Sequence, residues 1–170
     1  MKKGLVHIYT GDGKGKTSAA SGLAVRCAGC GKKVVFRRFL KGGESSELAS
    51  FLKLGINVKN VSTSRKFYFQ MNDSEKELAK SEILNSLDGI FDEKCDLLVL
   101  DEIICAVSLG IIEKERIVRL ISEKPPETEL VLTGRDAPEY LYEYADYVSK
   151  IVCVKHPYSE NVPAREGIEF

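Results

Sequence analysis

The sequence lacks long apolar runs, an excess of either charge, and the two C-x-x-C motifs of a typical zinc site. No apolar run approaches the roughly 20 residues that cross a bilayer. The 25 basic and 25 acidic side chains balance, so the chain has neither the basic excess that nucleic-acid binders carry nor a polybasic membrane patch. The five cysteines are odd in number and scattered, which argues against a secreted disulfide scaffold. These absences predict a cytoplasmic protein that binds neither nucleic acid nor membranes.

One cysteine pair, Cys27 and Cys30, has C-x-x-C spacing, but there is no second pair to complete a zinc site. Both residues fall at the end of an apolar helical pattern. We therefore expect them to be small, buried packing residues.

Length and pattern predict a single α/β domain over residues 1–170. β-Branched and apolar runs predict strands at 5–9, 34–40, 56–61, 97–100, 129–132 and 147–154. Helical spacing predicts helices at 17–30, 45–54, 73–91, 113–121 and 137–144. The segment from residue 156 onward has no regular pattern, and we expect a loop folded over the binding site or partial disorder. Because strands alternate with helices, we expect a mostly parallel sheet of about six strands, with strand 97–100 buried on both faces.

A glycine-rich loop joins the first strand to the first helix, which is the context of a phosphate-binding P-loop. We call residues 11–17 the phosphate loop; its predicted ATP-binding residues are Gly11, Asp12, Gly13, Lys14, Gly15, Lys16 and Thr17. Glycines let successive N–H groups point at phosphate oxygens, while the lysine supplies charge and the threonine a Mg²⁺ ligand. The usual pattern has glycine where this chain has Thr10, so the first glycine is shifted by one position. The phosphate loop between a strand and a helix, together with the alternating strands and helices, predicts a P-loop NTPase-like three-layer sandwich.

Two acidic residues, Asp101 and Glu102, follow the apolar strand 97–100 at its carboxyl end. Ligands bind at that end of the strands in open α/β sheets. We expect one of these carboxylates to hold Mg²⁺, directly or through water. The alternative is that Asp101 only caps the following helix.

Several less common segments occur in one order along the chain. They are G-D-G-K-G-K-T (11–17), V-L-D-E-I (99–103), L-T-G-R-D-A-P (132–138), A-D (145–146), K-H-P-Y (155–158), Ala164 and G-I-E (167–169). This set resembles the P-loop-type ATP:corrinoid adenosyltransferases, also called cob(I)alamin or cob(I)yrinic acid a,c-diamide adenosyltransferases. The resemblance covers nearly the whole chain.

The resemblance implies transfer of the 5′-deoxyadenosyl group of ATP to Co(I) of a reduced corrinoid, with release of triphosphate. It implies that Lys16 and Glu102 are catalytic and that Thr17, Glu102 and Asp101 bind Mg²⁺, with Mn²⁺ as an alternative. It also implies that ATP lies reversed in the loop and that Arg26 contacts the nucleotide; the alternative for Arg26 is a solvated helix side chain. An electron-donating reductase such as a flavoprotein and a homodimeric state are implied as well.

The family uses aromatic side chains to exclude the lower axial ligand of cobalt. Phe67 and Phe69 stand at the matching places and are the predicted corrinoid-binding residues. A tryptophan familiar at the second place is absent, because this chain contains none. The alternative for this F-Y-F segment is a core strand.

Two other functions remain open at this stage. A small P-loop kinase for a nucleoside or metabolite would share the phosphate loop and the acidic pair, with Arg135 and Arg165 as its candidate lid arginines. A non-catalytic, ATP-gated corrinoid carrier would use the same binding residues without turnover.

Overall fold

The computed structural model describes residues 3–40, 45–64, 66 and 68–169. Its strands form one sheet of six, in the order β3-β2-β4-β5-β1-β6, and every neighbouring pair is parallel. The strands are β1 Val6–Thr10, β2 Val34–Arg38, β3 Asn57–Asn60, β4 Leu97–Asp101, β5 Glu129–Thr133 and β6 Tyr147–Lys150. The predicted α/β class and six-stranded parallel sheet are confirmed.

The helices are α1 Lys16–Gly29, α2 Glu47–Lys53, α3 Asp73–Leu87, α4 Ile103–Ser108 and α5 Lys114–Ser122, with 3₁₀ turns at Tyr68–Gln70, Glu139–Tyr144 and Pro157–Glu160. Helix α3 begins with a capping box, in which the Asn72 side chain accepts from the Glu75 N–H and the Glu75 carboxylate accepts from the Asn72 N–H. No helix among the described residues is both long and apolar enough to cross a membrane.

Alternate side chains of β4 show how the sheet is covered on both faces. Leu97 and Val99 pack in the cluster that contains Ala20 of α1. Leu98 and Leu100 point the other way, into the larger cluster that contains side chains of α3, α4 and α5. Because both faces of β4 are buried, its run of apolar residues is continuous rather than alternating. The three-layer arrangement is therefore confirmed.

The order of the strands brings the functional loops together. From β1, the chain crosses over β5 and β4 to reach β2, and later returns to place β6 on the other side of β1. The carboxyl ends of β1, β4 and β5 therefore meet at one edge of the sheet. A reversal of strand order of this kind opens a crevice at that edge, where ligands bind in open α/β sheets.

The structure differs from the sequence prediction at several elements. The predicted helix 137–144 is a 3₁₀ helix after Pro138, and α3 ends at Leu87 because Gly89 takes a positive φ of 66° in the turn that follows. Strand β6 ends at Lys150 instead of residue 154, since the next residues pack behind the phosphate loop. Helix α4 was not predicted, because six residues are too few for a periodic pattern.

Two smaller details concern the C-terminal segment and the cysteines. The C-terminal segment contains one short 3₁₀ turn, Pro157–Glu160, and its N-cap His156 side chain accepts from the Tyr158 N–H. The expectation for the cysteine pair was wrong. Cys30 is exposed beyond the end of α1, and Cys27 is only partly buried, so this pair is not a buried packing unit.

Candidate nucleotide-binding site

The phosphate loop takes a backbone path that only glycine can follow at two positions. Gly11 and Gly15 have φ values of 107° and 123°. A Cβ on Gly11 would also lie 2.2 Å from the carbonyl oxygen of Ile151, and a Cβ on Gly13 would lie 2.8 Å from that of Val152. The shifted first glycine, Gly11, is thus required both by its own backbone and by the chain behind it.

The segment after β6 supports the loop from behind through two hydrogen bonds. The Gly13 N–H donates to the Ile151 carbonyl at 2.9 Å, and the Cys153 N–H donates to Asp12 Oδ1 at 3.1 Å. The bond from Cys153 is the main reason that the pKa of Asp12 lies below its ordinary value. The Asp12 carboxylate therefore helps to hold the loop in place.

Lys16 is the first residue of α1 and is almost fully buried. Its Nζ donates to the Gly13 carbonyl at 2.8 Å, so the ammonium is held within the curve of the loop. Burial lowers its pKa, and the nearby Glu102 carboxylate partly offsets that effect. This charge lies at the N-terminus of a 14-residue helix, whose N–H groups and dipole also attract anions.

Thr17, Asp101 and Thr133 form a network at the ends of three elements. The Thr17 and Thr133 hydroxyls both donate to Asp101 Oδ1, at 3.0 Å and 2.7 Å. Asp101 and Thr133 are fully buried. Glu102, not Asp101, is the N-cap residue of α4, so the alternative role of Asp101 as a helix cap is wrong.

Glu102 has a left-handed backbone, with φ 65° and ψ 13°. Residues with a side chain adopt this conformation rarely and at a cost of about 1–2 kcal/mol. The Glu102 N–H donates to Thr133 Oγ1 at 3.0 Å, and the Glu102 carboxylate accepts from Cys105 Sγ at 2.8 Å. Contacts with β5 and α4 therefore hold this residue at both its backbone and its side chain.

Cys105 is a neighbour of the site that the sequence analysis did not assign to it, and Arg135 was considered there only as a lid arginine of the kinase alternative. The Arg135 N–H donates to Cys105 Sγ at 3.2 Å, and the Arg135 charge contributes to the lowered pKa of Lys16. Burial, followed by the Glu102 carboxylate, raises the pKa of Cys105 to about 12. A sequence signal for Arg135 existed, because it is a cation in the loop directly after β5, at the same edge as the phosphate loop.

The oxygen groups present fit a hard divalent cation. Mg²⁺ usually binds one or two carboxylates together with substrate phosphates, not a cage made by protein alone. The Thr17 hydroxyl donates a hydrogen bond of 3.0 Å to the Asp101 carboxylate, and Glu102 is the next residue in the chain after Asp101. No cluster of three or more His, Cys, Asp or Glu side chains suited to a metal occurs among the described residues. Thr17, Asp101 and Glu102 therefore offer a small set of oxygen atoms of the kind that such a cation takes.

Other predicted residues are not gathered at the loop. Arg26 is exposed in the last turn of α1, about 15 Å along the helix axis from Lys16. Phe69 lies in the 3₁₀ turn Tyr68–Gln70 with 78% of its surface exposed, and Phe67 lies outside the described residues. Residues 68–70 form no strand, so the core-strand alternative is wrong for them.

The C-terminal segment reaches the solvent side of the phosphate loop. Lys14 Nζ lies 2.6 Å from Glu169 Oε1, and Arg165 pairs with the same carboxylate. Arg165, followed by Lys14, lowers the pKa of Glu169 to about 2. The loop is thus contacted from behind by residues 151–153 and in front by Glu169.

Known proteins resemble nearly the whole chain. Residues 2–170 match the model of a family described as "ATP:corrinoid adenosyltransferase BtuR/CobO/CobP". The chain is similar to corrinoid adenosyltransferases of Pseudomonas aeruginosa (32% identity; 99% of this chain and 85% of that protein) and Escherichia coli K12 (31%; 99% and 87%). Among solved structures, a KaiC-like protein of Pyrococcus horikoshii shares the fold, with a TM-score of 0.53 at 17% identity over 89% of this chain and 73% of that chain.

Proposed function

The chain belongs to the ATP:corrinoid adenosyltransferase family, and from that premise we propose that it transfers the 5′-deoxyadenosyl group of ATP to a reduced corrinoid. The family match over residues 2–170 carries the proposal. In this reaction the electron pair of Co(I) forms the bond to C5′ of ATP. The C5′–O bond breaks, and its electrons leave with triphosphate. No protein nucleophile takes part.

The main task of the protein in such a reaction is to stabilise the leaving triphosphate, which gains negative charge as the C5′–O bond breaks. The phosphate loop offers backbone N–H groups, the α1 N-terminus and the buried Lys16 ammonium, all held before the substrate arrives. Removing one preorganised donor of this kind typically lowers kcat by roughly 10²–10³-fold. Lys16 therefore acts on the part of ATP that is released and not on a phosphoryl group in transfer.

A divalent cation fits beside these groups. Thr17, Glu102 and Asp101 would hold Mg²⁺, or Mn²⁺ in its place, at the carboxyl end of β4. When bound, the cation neutralises charge on the triphosphate. The buried hydrogen bonds from Thr17 and Thr133 fix the Asp101 carboxylate, so the oxygen ligands are arranged in advance.

For the corrinoid, we propose that Phe69, together with Phe67, covers the lower face of the ring. Support comes from the exposed Phe69 side chain, an apolar surface that a corrin ring would bury. Excluding the lower axial ligand makes cobalt easier to reduce, because axial donation stabilises the higher oxidation state. Arg26, far from the loop along α1, is proposed to contact the nucleotide at a point away from the triphosphate.

We also propose that the protein is cytoplasmic, acts as a homodimer and receives its electron from a reductase such as a flavoprotein. The dimer and the reductase follow from the family resemblance, and the cytoplasmic location follows from the composition and the scattered cysteines. Sedimentation velocity measures the oligomeric state directly, and a single monomeric species at micromolar concentration would contradict the dimer.

The deciding experiment follows the corrin spectrum after mixing the protein with ATP, Mg²⁺ and chemically reduced cobalamin, or an incomplete corrinoid. We expect a light-sensitive cobalt–carbon product and one triphosphate per product. Formation of ADP with a nucleoside acceptor would point to the kinase instead. Tight corrinoid binding without any turnover would point to the carrier, and either outcome would overturn the proposal.

A further inference from the structure

The Cys105 thiol lies between two groups of the site, and the proposed reaction gives it no role. It donates to Glu102 Oε2 at 2.8 Å and accepts from the Arg135 N–H at 3.2 Å. One side chain on α4 therefore contacts both the carboxylate beside the phosphate loop and the turn that follows β5.

Gly134 makes this arrangement possible. Its φ is 151°, and a Cβ at this position would lie 2.7 Å from both the Cys105 backbone nitrogen and the Ile104 Cβ, and 3.2 Å from Cys105 Sγ. The turn after β5 is therefore packed directly against the start of α4. This close approach brings the Arg135 N–H within hydrogen-bonding distance of the thiol.

The Glu102 carboxylate has a contact of its own. The left-handed backbone of Glu102 is held by the bond from its N–H to Thr133, which does not set the side-chain torsions. Glutamate loses considerable rotamer freedom when its carboxylate is held in one place. The hydrogen bond from Cys105 Sγ is one contact that holds Glu102 Oε2.

The thiol is suited to be a donor. In this contact the thiol is the donor, because an ionised carboxylate oxygen can only accept. A protonated thiol donates to the carboxylate while its sulfur lone pairs accept from the Arg135 N–H.

We propose that Cys105 is a positioning residue that aims the Glu102 carboxylate at the bound cation and ties it to the Gly134–Arg135 turn. The inference rests on the proposed function, since Glu102 is a metal ligand only in that proposal. Groups that orient metal ligands in this way commonly change metal affinity by 10–100-fold when they are removed.

The test measures Mn²⁺ affinity by electron paramagnetic resonance in the presence of ATP and without corrinoid, so that no turnover is needed. The variants are Cys105→Ala, Cys105→Val, which keeps the volume without a donor, and Cys105→Ser, which keeps a donor and an acceptor. Cys95→Ala is the matched control, because Cys95 is a partly buried cysteine just before β4, at the opposite edge of the sheet. Thermal unfolding is followed for all four.

We expect Cys105→Ala and Cys105→Val to weaken Mn²⁺ binding about tenfold. The Mn²⁺ affinity of Cys105→Ser should stay within about threefold of the wild-type value. Cys95→Ala should bind Mn²⁺ like wild type, even if that variant is less stable to heat. If Cys105→Ala does not fold, the valine and serine variants make the same comparison. Unchanged affinity in the valine variant, or equal losses in serine and valine, would overturn the inference.

Failure of the proposed function has a separate signature. It would appear as wild-type protein that forms no cobalt–carbon product, whereas failure of this inference would appear as active wild type whose metal affinity does not depend on Cys105. A second test measures kcat/KM for ATP at several Mg²⁺ concentrations. The defect of Cys105→Val should shrink as Mg²⁺ is raised to saturation.

Discussion

Replacing Thr133 by valine tests the buried network beneath the proposed metal site. The side chains have nearly the same shape, but valine lacks the hydroxyl. In the structure that hydroxyl donates to Asp101 Oδ1 at 2.7 Å and accepts from the Glu102 N–H at 3.0 Å. Thr133→Val therefore removes a donor from a fully buried carboxylate and an acceptor from the left-handed residue that follows it.

The size of the effect can be worked out from these two bonds. A hydrogen bond to a charged group is worth about 1.5–3 kcal/mol, and an unsatisfied buried N–H costs about 1–3 kcal/mol. Thr17 still donates to Asp101, which favours the lower end of the first range, and the Glu102 N–H is only partly buried, which favours a value below the middle of the second. We expect the free energy of unfolding to fall by about 3 kcal/mol. For 170 residues this lowers the melting temperature by about 8 °C.

Thr128→Val is the matched control, because Thr128 is also buried and its hydroxyl donates to a neutral acceptor, the Cys95 carbonyl, at 2.9 Å. This loss should lower the free energy of unfolding by about 1 kcal/mol and the melting temperature by about 3 °C. Calorimetry or circular dichroism measures both. If the two variants melted at the same temperature, the reasoning about the buried carboxylate would be wrong.

Three further predictions concern the phosphate loop and the cysteines. Lys16→Ala should lower kcat/KM for ATP at least about 100-fold in the corrin assay, whereas Lys32→Ala, exposed beyond the other end of α1, should leave it unchanged. Glu169→Gln should lower the ATP dissociation constant about threefold by calorimetry, because Glu169 competes with triphosphate for Lys14; weaker binding would contradict this competition. Iodoacetamide at pH 8 should alkylate exposed Cys30 well before Cys105, whose pKa is raised to about 12, as mass spectrometry would show.

Much of the fold could be predicted, because its main signals are local. The apolar run of β4 is continuous because both of its faces are buried, and the glycines of the phosphate loop mark a backbone that other residues cannot follow. The fold class therefore followed from short windows of sequence. The order β3-β2-β4-β5-β1-β6 did not, because strand pairing depends on contacts between distant segments.

The site was less predictable where residues act through tertiary contacts. Nothing in the sequence indicates that Glu102 is left-handed, since that conformation is usually taken by glycine and is imposed here by contacts such as the bond to Thr133. The sequence analysis gave Cys105 no role, because its contact with the Gly134–Arg135 turn joins segments 30 residues apart in sequence. The family resemblance implies that Arg26 contacts the nucleotide, but the geometry of α1 places it about 15 Å from Lys16 along the helix axis.

The support behind the phosphate loop has a consequence for synthesis on the ribosome. Asp12 emerges early, but the N–H that binds its carboxylate belongs to Cys153, which is made 141 residues later. Strand β1 likewise waits for β5 and β6, its two neighbours in the sheet. A nascent chain that ends before residue 151 has the complete glycine-lysine-threonine motif and nothing behind it. Nucleotide binding should therefore appear late in translation, as the last segment folds against the first.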